Sequence, residues 1–151
     1  MTATVSIRDT IESDLGALFE FQADPEASAM AAFPSRDLHA FLENQHKIEV
    51  DPAAVEQTIV VDGDVVGSVL SWDGPGVRLV GYWIGRDYWR KGYATAALRA
   101  FLDVDRHRPL QAHVAEHNVA SRRVLEKCGF VFDRSEVADD GILEHVFLLT
   151  T

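Results

Sequence analysis

Apolar residues along this chain alternate with polar ones in some stretches and recur every three or four residues in others. The first pattern marks strands and the second marks helices. Thr4 to Arg8 alternates and predicts a first strand. From Glu12 to Gln22, Leu15, Leu18, Phe19 and Gln22 fall at helical spacing, with acids in the first turn where the helix dipole favours them. Ala23 to Pro34 reads as a turn region broken by Pro25 and Pro34. Ser35 is placed to cap a second helix that carries Leu38, Phe41 and Leu42 on one face. Asp51-Pro52 has the form of a cap followed by a first-turn proline and predicts a short helix to Glu56.

The stretch TIVVDGDVVGSVLSW predicts a hairpin, because two β-branched runs flank Asp62-Gly63. Val77 to Ile84 is the next strand. After YWRKGYAT a helix runs to about Asp105, Pro109 precedes the strand LQAHV, and Asn118 to Lys127 is a further amphipathic helix. Gly129 stands where helices end in a left-handed residue. FVFDRS and ILEHVFLL close the chain as two strands around Asp139-Asp140-Gly141. The predicted fold is α/β, with a mixed, mostly antiparallel central sheet flanked by helices. At 151 residues the chain is expected to form one domain, 1–151.

Charge narrows the function classes. The net charge is −10, and it is uneven: residues 1–77 hold 14 Asp and Glu against three Lys and Arg, whereas residues 78–151 hold 10 against 11. That balance speaks against nucleic acid, whose backbone needs a basic face. It allows an anionic small ligand on the second half and a cationic partner on the first, although an acidic surface also simply aids solubility. No apolar run approaches the roughly 18–20 residues of a membrane helix, so no membrane partner is expected. The opening MTATVSIRDT lacks the pattern of a secretory signal. The lone Cys128 cannot form an internal disulfide and suits a cytoplasmic location.

The segment Arg90-Lys91-Gly92 lies at the mouth of a predicted helix. A helix start leaves backbone N–H groups unpaired and partly positive, and a phosphate satisfies both conditions. Gly92 lets the backbone come close, Ala94 keeps the next position open, and Thr95 offers a hydroxyl. Neither GxxxxGK[ST] nor GxGxxG is present. A helix start with solvated charges would have the same local composition.

The pair of segments GYWIGRDYWRKGYATAAL and HVAEHNVASRRVLEKCGFVF resembles the two signature segments of the GNAT superfamily of acyl-CoA-dependent N-acetyltransferases. More narrowly, it is similar to the branch that contains the ribosomal-protein-alanine N-acetyltransferases. The resemblance implies a V-shaped cleft between the strand ending near Ile84 and the strand Leu110–Ala115, with acetyl-CoA as co-substrate; no metal is expected, because no Cys/His/Asp group has zinc spacing and HExxH is missing. It implies a pyrophosphate on the segment Arg90, Lys91, Gly92, Tyr93, Ala94 and Thr95. It implies a pantetheine arm beside Tyr82, Trp83 and Ile84, with Asn118 on the other wall. Trp89 departs from the family's Gln or Arg at the head of the phosphate motif.

For the chemistry, many superfamily members carry a tyrosine where this chain has Leu125. Ser121, one turn earlier, is the implied acid for the leaving thiolate; a small residue there also keeps helix and cofactor apart. Where the branch often has a glutamate before Gly-Tyr-Trp, this chain has Leu79. Glu116 is the first candidate base and His113 the second, and a water chain would serve as well. The N-terminal helices are implied to wall the acceptor site, with Phe33 as a contact and Asp37 or Glu43 steering a cation. The expected function is acetyl transfer to a primary amine, either a small molecule or a protein N-terminus. A non-catalytic acyl-CoA-binding sensor or regulatory module is the alternative. Either a monomer or a homodimer is compatible with the sequence.

Overall fold

The computed structural model describes residues 3–151. Strand β1 (Val5–Asp9) leads through a 3-10 turn (Glu12–Asp14) into α1 (Leu15–Ala23), α2 (Pro25–Ala31) and α3 (Leu38–Val50). A meander comes next, β2 (Val55–Val61), β3 (Asp64–Gly74) and β4 (Val77–Ile84). Then come α4 (Tyr93–Val104), β5 (Leu110–Ala115), α5 (Val119–Lys127), β6 (Val131–Val137) and β7 (Leu143–Leu149).

The first half departs from expectation at three places. Ala23 to Pro34 contains α2, because Asp24 accepts a hydrogen bond from the Glu26 N–H and Pro25 occupies the first helical turn. Pro25 therefore starts a helix rather than interrupting one. Helix α3 is capped by Asp37, whose carboxylate accepts from the Ala40 N–H at 2.8 Å, and not by Ser35, whose hydroxyl bonds that of Ser28. The short helix expected from Asp51 to Glu56 is absent. The Asp51 N–H closes α3 on the Ile48 carbonyl, and Val55 and Glu56 already pair with Ser71 and Leu70 of β3. Cross-strand pairing of a β-branched run outweighs a local cap signal there.

All seven strands form one sheet in the order β1-β2-β3-β4-β5-β7-β6. Neighbours are antiparallel except β4 and β5. The β2–β3 hairpin turns on Asp62 and Gly63, both at positive φ, as a tight hairpin turn requires. One face of the sheet presents Ile59, Val66, Val69 and Val80 to Ala97, Leu98 and Phe101 of α4, and this is the main core. Each such side chain contributes about 1.5–3 kcal/mol when fully buried. Helices α1 and α3 cover the opposite face, where Phe19 and Phe41 meet edge-to-face at 5.5 Å.

Two buried carboxylates fix helices to this sheet. Asp105, at the end of α4, takes hydrogen bonds from Ser71, His107 and Arg78, and Arg78 also reaches Asp73 at 2.9 Å. Burial pushes the Asp105 carboxyl up, but those donors outweigh it and hold it well below the ordinary range. Asp14 receives both Arg8 guanidinium nitrogens at 2.8 Å, the Ile11 N–H at 3.0 Å and the Thr58 hydroxyl at 2.9 Å. The Arg8 hydrogen bonds are the largest cause that brings its pKa from 3.8 to about 2.

A depressed carboxylate stabilises the fold above its unfolded pKa and loses that contribution as pH falls through its folded pKa. At neutral pH, Asp14→Asn is expected to be about 2 kcal/mol less stable than wild type. The gap should narrow between about pH 4 and pH 2. Urea denaturation across that range measures it; a gap that stays constant with pH would show that the Asp14 charge contributes nothing.

Candidate active site

Strands β4 and β5 pair only where Arg78 and Leu79 meet Leu110 and Gln111. Beyond those residues β4 continues on β3 as far as Ile84, and β5 continues on β7 as far as Ala115. The two strands therefore splay. A cavity of about 530 Å³ occupies the split and reaches both faces of the sheet. On the α4–α5 side its wall includes Leu98, Ser121 and Leu125. On the α1–α3 side it includes Phe33, Gln45, Glu56, Trp72 and Trp83.

The register shows which backbone groups face the split. The Gly85 N–H bonds the Val66 carbonyl at 2.8 Å, which makes residues 66 and 85 a hydrogen-bonded pair. Antiparallel pairs alternate, so the polar groups of Tyr82 and Ile84 point away from β3 and toward β5. The Ile84 carbonyl is taken by the Trp89 indole N–H at 2.9 Å. The Ile84 N–H and both polar groups of Tyr82 remain on an unpaired edge, where an amide-bearing chain can add like a strand. Gly67 makes this geometry possible: a Cβ there would lie 2.0 Å from the Trp83 carbonyl oxygen.

The loop after β4 ends in a second set of free donors. Gly92 caps α4 at φ 79°, with no side-chain cap, and the first helical bond runs from Ala96 N–H to the Gly92 carbonyl. Among the described residues, no N–H from Arg90 to Thr95 donates to a backbone carbonyl. Arg90 is itself left-handed at φ 63°, and nothing lies within 4 Å of a Cβ built on Gly92. The result is an open, positive helix mouth beside Arg90 and Lys91. Trp89 packs against the core and braces the loop instead of offering a polar side chain.

Inside the split, the Tyr82 hydroxyl lies 2.6 Å from the Ser121 hydroxyl. Burial pushes the Tyr82 phenol up to about 12, with the Ser121 hydrogen bond acting the other way. The two hydroxyls share one hydrogen bond, which leaves one O–H to donate to a third group. Leu125, one turn beyond Ser121, is buried. Asn118 lines the same cavity, but its side-chain oxygen caps α5 by accepting from the Ser121 N–H at 3.2 Å. The Trp83 indole N–H is buried without a partner among the described residues and is a donor open to a ligand.

The remaining candidates divide. Phe33 lines the cavity, edge-on to Trp83 at 6.4 Å, with the Arg36 guanidinium over its ring. Asp37 caps α3, and Glu43 lies beside His39 at 3.6 Å; neither lines the cavity. Glu116 is exposed past the end of β5 and is also outside the lining. His113 lines the cavity, but one ring nitrogen meets Gln111 at 2.6 Å and the other approaches Glu136 and Glu144. His113, Glu136 and Glu144 place ligand-type atoms within 4.8 Å of one another. Sequence spacing hides that cluster, because the β5–β7–β6 pairing assembles it. No helix among the described residues is long and apolar enough to cross a membrane.

A family model described as an acetyltransferase (GNAT) domain matches residues 5–131. The chain belongs to the GNAT acetyltransferase family. GNAT enzymes take acetyl-CoA as co-substrate, and the split, the helix mouth and the free β4 edge fit its thioester arm and pyrophosphate. Among proteins of curated function, none matches the sequence significantly. The fold superposes on aminoglycoside acetyltransferase AAC(6')-Ib in complex with coenzyme A, with a TM-score of 0.80 and 19% identity over 97% of this chain and 95% of that one. It superposes on spermidine N-acetyltransferase from Vibrio cholerae in complex with CoA and spermine, with a TM-score of 0.83 and 16% identity over 97% and 95%. The RimL ribosomal L7/L12 alpha-N-protein acetyltransferase with coenzyme A gives 0.82 and 14% over 97% and 94%.

Two side chains of the cleft have placements that the sequence does not display. The Tyr82 hydroxyl stands out only once α5 is placed beside β4. Glu56, expected to end a short helix, instead stands on β2 with its carboxylate against Gln45 of α3.

Gly92→Glu is expected to fold and to lose coenzyme A binding at least tenfold beyond any loss in Gly92→Ala, which carries the same backbone strain without the charge. Thermal shift with coenzyme A reads the difference. Equal affinity in the two variants would remove the helix mouth from the pyrophosphate site.

Proposed function

We propose that this chain transfers acetyl from acetyl-CoA to a primary amine by direct attack within the β4–β5 split. The observation that carries the reading is the unpaired edge at Tyr82 and Ile84 beside a helix mouth whose N–H groups are free. Arg90 to Thr95 hold the pyrophosphate through backbone donors. Tyr82 holds the pantetheine amides through its own backbone N–H and carbonyl, which leaves the Ile84 N–H for the thioester, and the Asn118 amide nitrogen contributes from the other wall. This arrangement points the thioester into the split.

In the reaction, the amine nitrogen forms a bond to the thioester carbon, the carbon–sulfur bond breaks, the nitrogen loses a proton and the sulfur gains one. The Ile84 N–H is the preplaced donor for the oxygen that becomes negative. The hydroxyl left over from the Tyr82–Ser121 pair donates to the departing sulfur. The raised pKa of Tyr82 keeps its proton in place through neutral pH. An alkyl ammonium titrates at about 10.4 in water, and desolvation against Trp83 and Phe33, beside Ile84, favours the neutral amine. Glu116 lies outside this arrangement, so no base is assigned to it.

The similar structures are named for acceptors as different as aminoglycosides, spermidine and a ribosomal protein. All of these offer an amine, and we place this chain's acceptor in that class: a small amine or a protein N-terminus. Mass spectrometry of an amine and peptide panel with acetyl-CoA tests the activity. Stabilisation by coenzyme A with no acetylated product would identify a binding module instead.

Ser121→Ala and Tyr82→Phe are each expected to lower turnover by roughly 10- to 100-fold while coenzyme A affinity changes far less. The double variant should be little worse than either single one, because the two hydroxyls act as a unit. Wild-type turnover in both single variants would take the pair out of the mechanism.

A further inference from the structure

Glu56 is the cavity-lining carboxylate that the proposed acetyl transfer leaves unused on the α1–α3 side. It stands on β2 directly opposite Leu70, which stands opposite Gly81 of β4, so the three point to one face. That face also carries Trp72 and Trp83. The Glu56 carboxylate accepts from the Gln45 amide at 2.5 Å, and among the described residues it makes no ion pair. The charge that acts on it is another carboxylate, Asp14. Desolvation is the main cause that pushes the Glu56 carboxyl up, which is the mark of an acid lacking a cation.

The arginine that shares the cavity does not fill that role. Arg36 lines the same cavity, but its guanidinium lies over the Phe33 ring, 5.1 Å from the centroid. Gln22 clamps its backbone by accepting from the N–H at 2.7 Å and donating to the carbonyl at 2.9 Å. His113 and Glu144 lie across the split on β5 and β7.

Register sets how far Glu56 is from the chemistry. Two strand spacings separate it from Gly81, which is roughly 10 Å between backbones, and the reacting carbonyl lies further along β4 near Ile84. The carboxylate is too remote to take a proton from the attacking nitrogen. Its distance suits a different task.

We propose that Glu56 anchors a second positive charge on the acceptor, so that the site selects a diamine or longer polyamine-like cation over a monoamine. The inference rests on the acetyl-transfer reading for the position of the reacting nitrogen. The second ammonium sits against the carboxylate on the face that carries Trp72, whose ring favours a cation. Gln45 holds the carboxylate in place. Removing the charge then costs affinity for the dication specifically.

The test is isothermal titration of the coenzyme A-loaded protein with 1,5-diaminopentane and with 1-aminopentane near neutral pH, where every amine is protonated. Wild type should bind the diamine about tenfold or more tightly than the monoamine. In Glu56→Gln, which keeps a hydrogen-bonding amide for Gln45, the ratio should fall to about one. Glu56→Asp should retain part of the preference, and circular dichroism checks that both variants fold. Equal affinity of wild type for the two amines, or an unchanged ratio in Glu56→Gln, overturns the proposal. The titration requires no acetyl transfer, so absent turnover counts against the transferase reading alone.

Discussion

Two residue pairs, Arg78 with Leu110 and Leu79 with Gln111, join one half of the sheet to the other. Strands β1 to β4 form one half and β5, β7 and β6 the other, and each half is paired antiparallel within itself. Strand β4 pairs with β3 through Ile84, and β5 pairs with β7 over its whole length, so each arm is held by its own partner while the arms part. Unpaired backbone in a protein interior is unfavourable unless something else satisfies it. The exposed polar groups of Tyr82 and Ile84 are therefore both a local liability and a docking edge. The buried Arg78–Asp105–Ser71 cluster sits at the closed end of the split and ties the last turn of α4 to β3 and β4. It fixes where the strands begin to separate and, through α4, where the helix mouth at Gly92 lies.

The sheet also sorts the chemistry by face. The α4–α5 side carries the backbone donors, the Tyr82–Ser121 pair and the aliphatic wall of Leu98 and Leu125. The other side carries aromatic rings, amides and a half-buried carboxylate. An anionic nucleotide thioester suits the first and a cationic amine suits the second. A closed sheet would keep the two substrates apart. In the proposed reaction the split lets their reacting ends meet edge to edge, so that proximity serves without a covalent enzyme intermediate.

Local signals in the sequence were strong where one short segment decides the conformation. Asp62-Gly63 forms its hairpin turn, Gly129 takes a left-handed conformation, and Gly92 sits at the open helix mouth that RKGYAT implies. The two signature segments named the family, and the family model covers both up to Val131. Signals failed where two readings share the same residues. Asp24-Pro25 and Asp51-Pro52 are alike in sequence, yet one starts α2 and the other is a turn between α3 and β2. The neighbouring residues make the difference: a run of small side chains after Pro25, and the β-branched Val55 paired into the sheet after Pro52.

The site residues that sequence could not show are those made by long-range contact. Tyr82 and Ser121 are 39 residues apart and meet only because α5 returns over the split. Leu125 stands where many superfamily members carry a tyrosine, but here a tyrosine reaches the same region from β4. In the proposed mechanism the phenol depends on backbone that also holds the thioester arm, since Tyr82 supplies both the edge and the hydroxyl. Placement of the leaving sulfur and placement of its proton donor would then be coupled through one strand residue. That coupling gives a reason for β4 to remain paired with β3 through Ile84, and for Gly67 to let the two strands come so close opposite it.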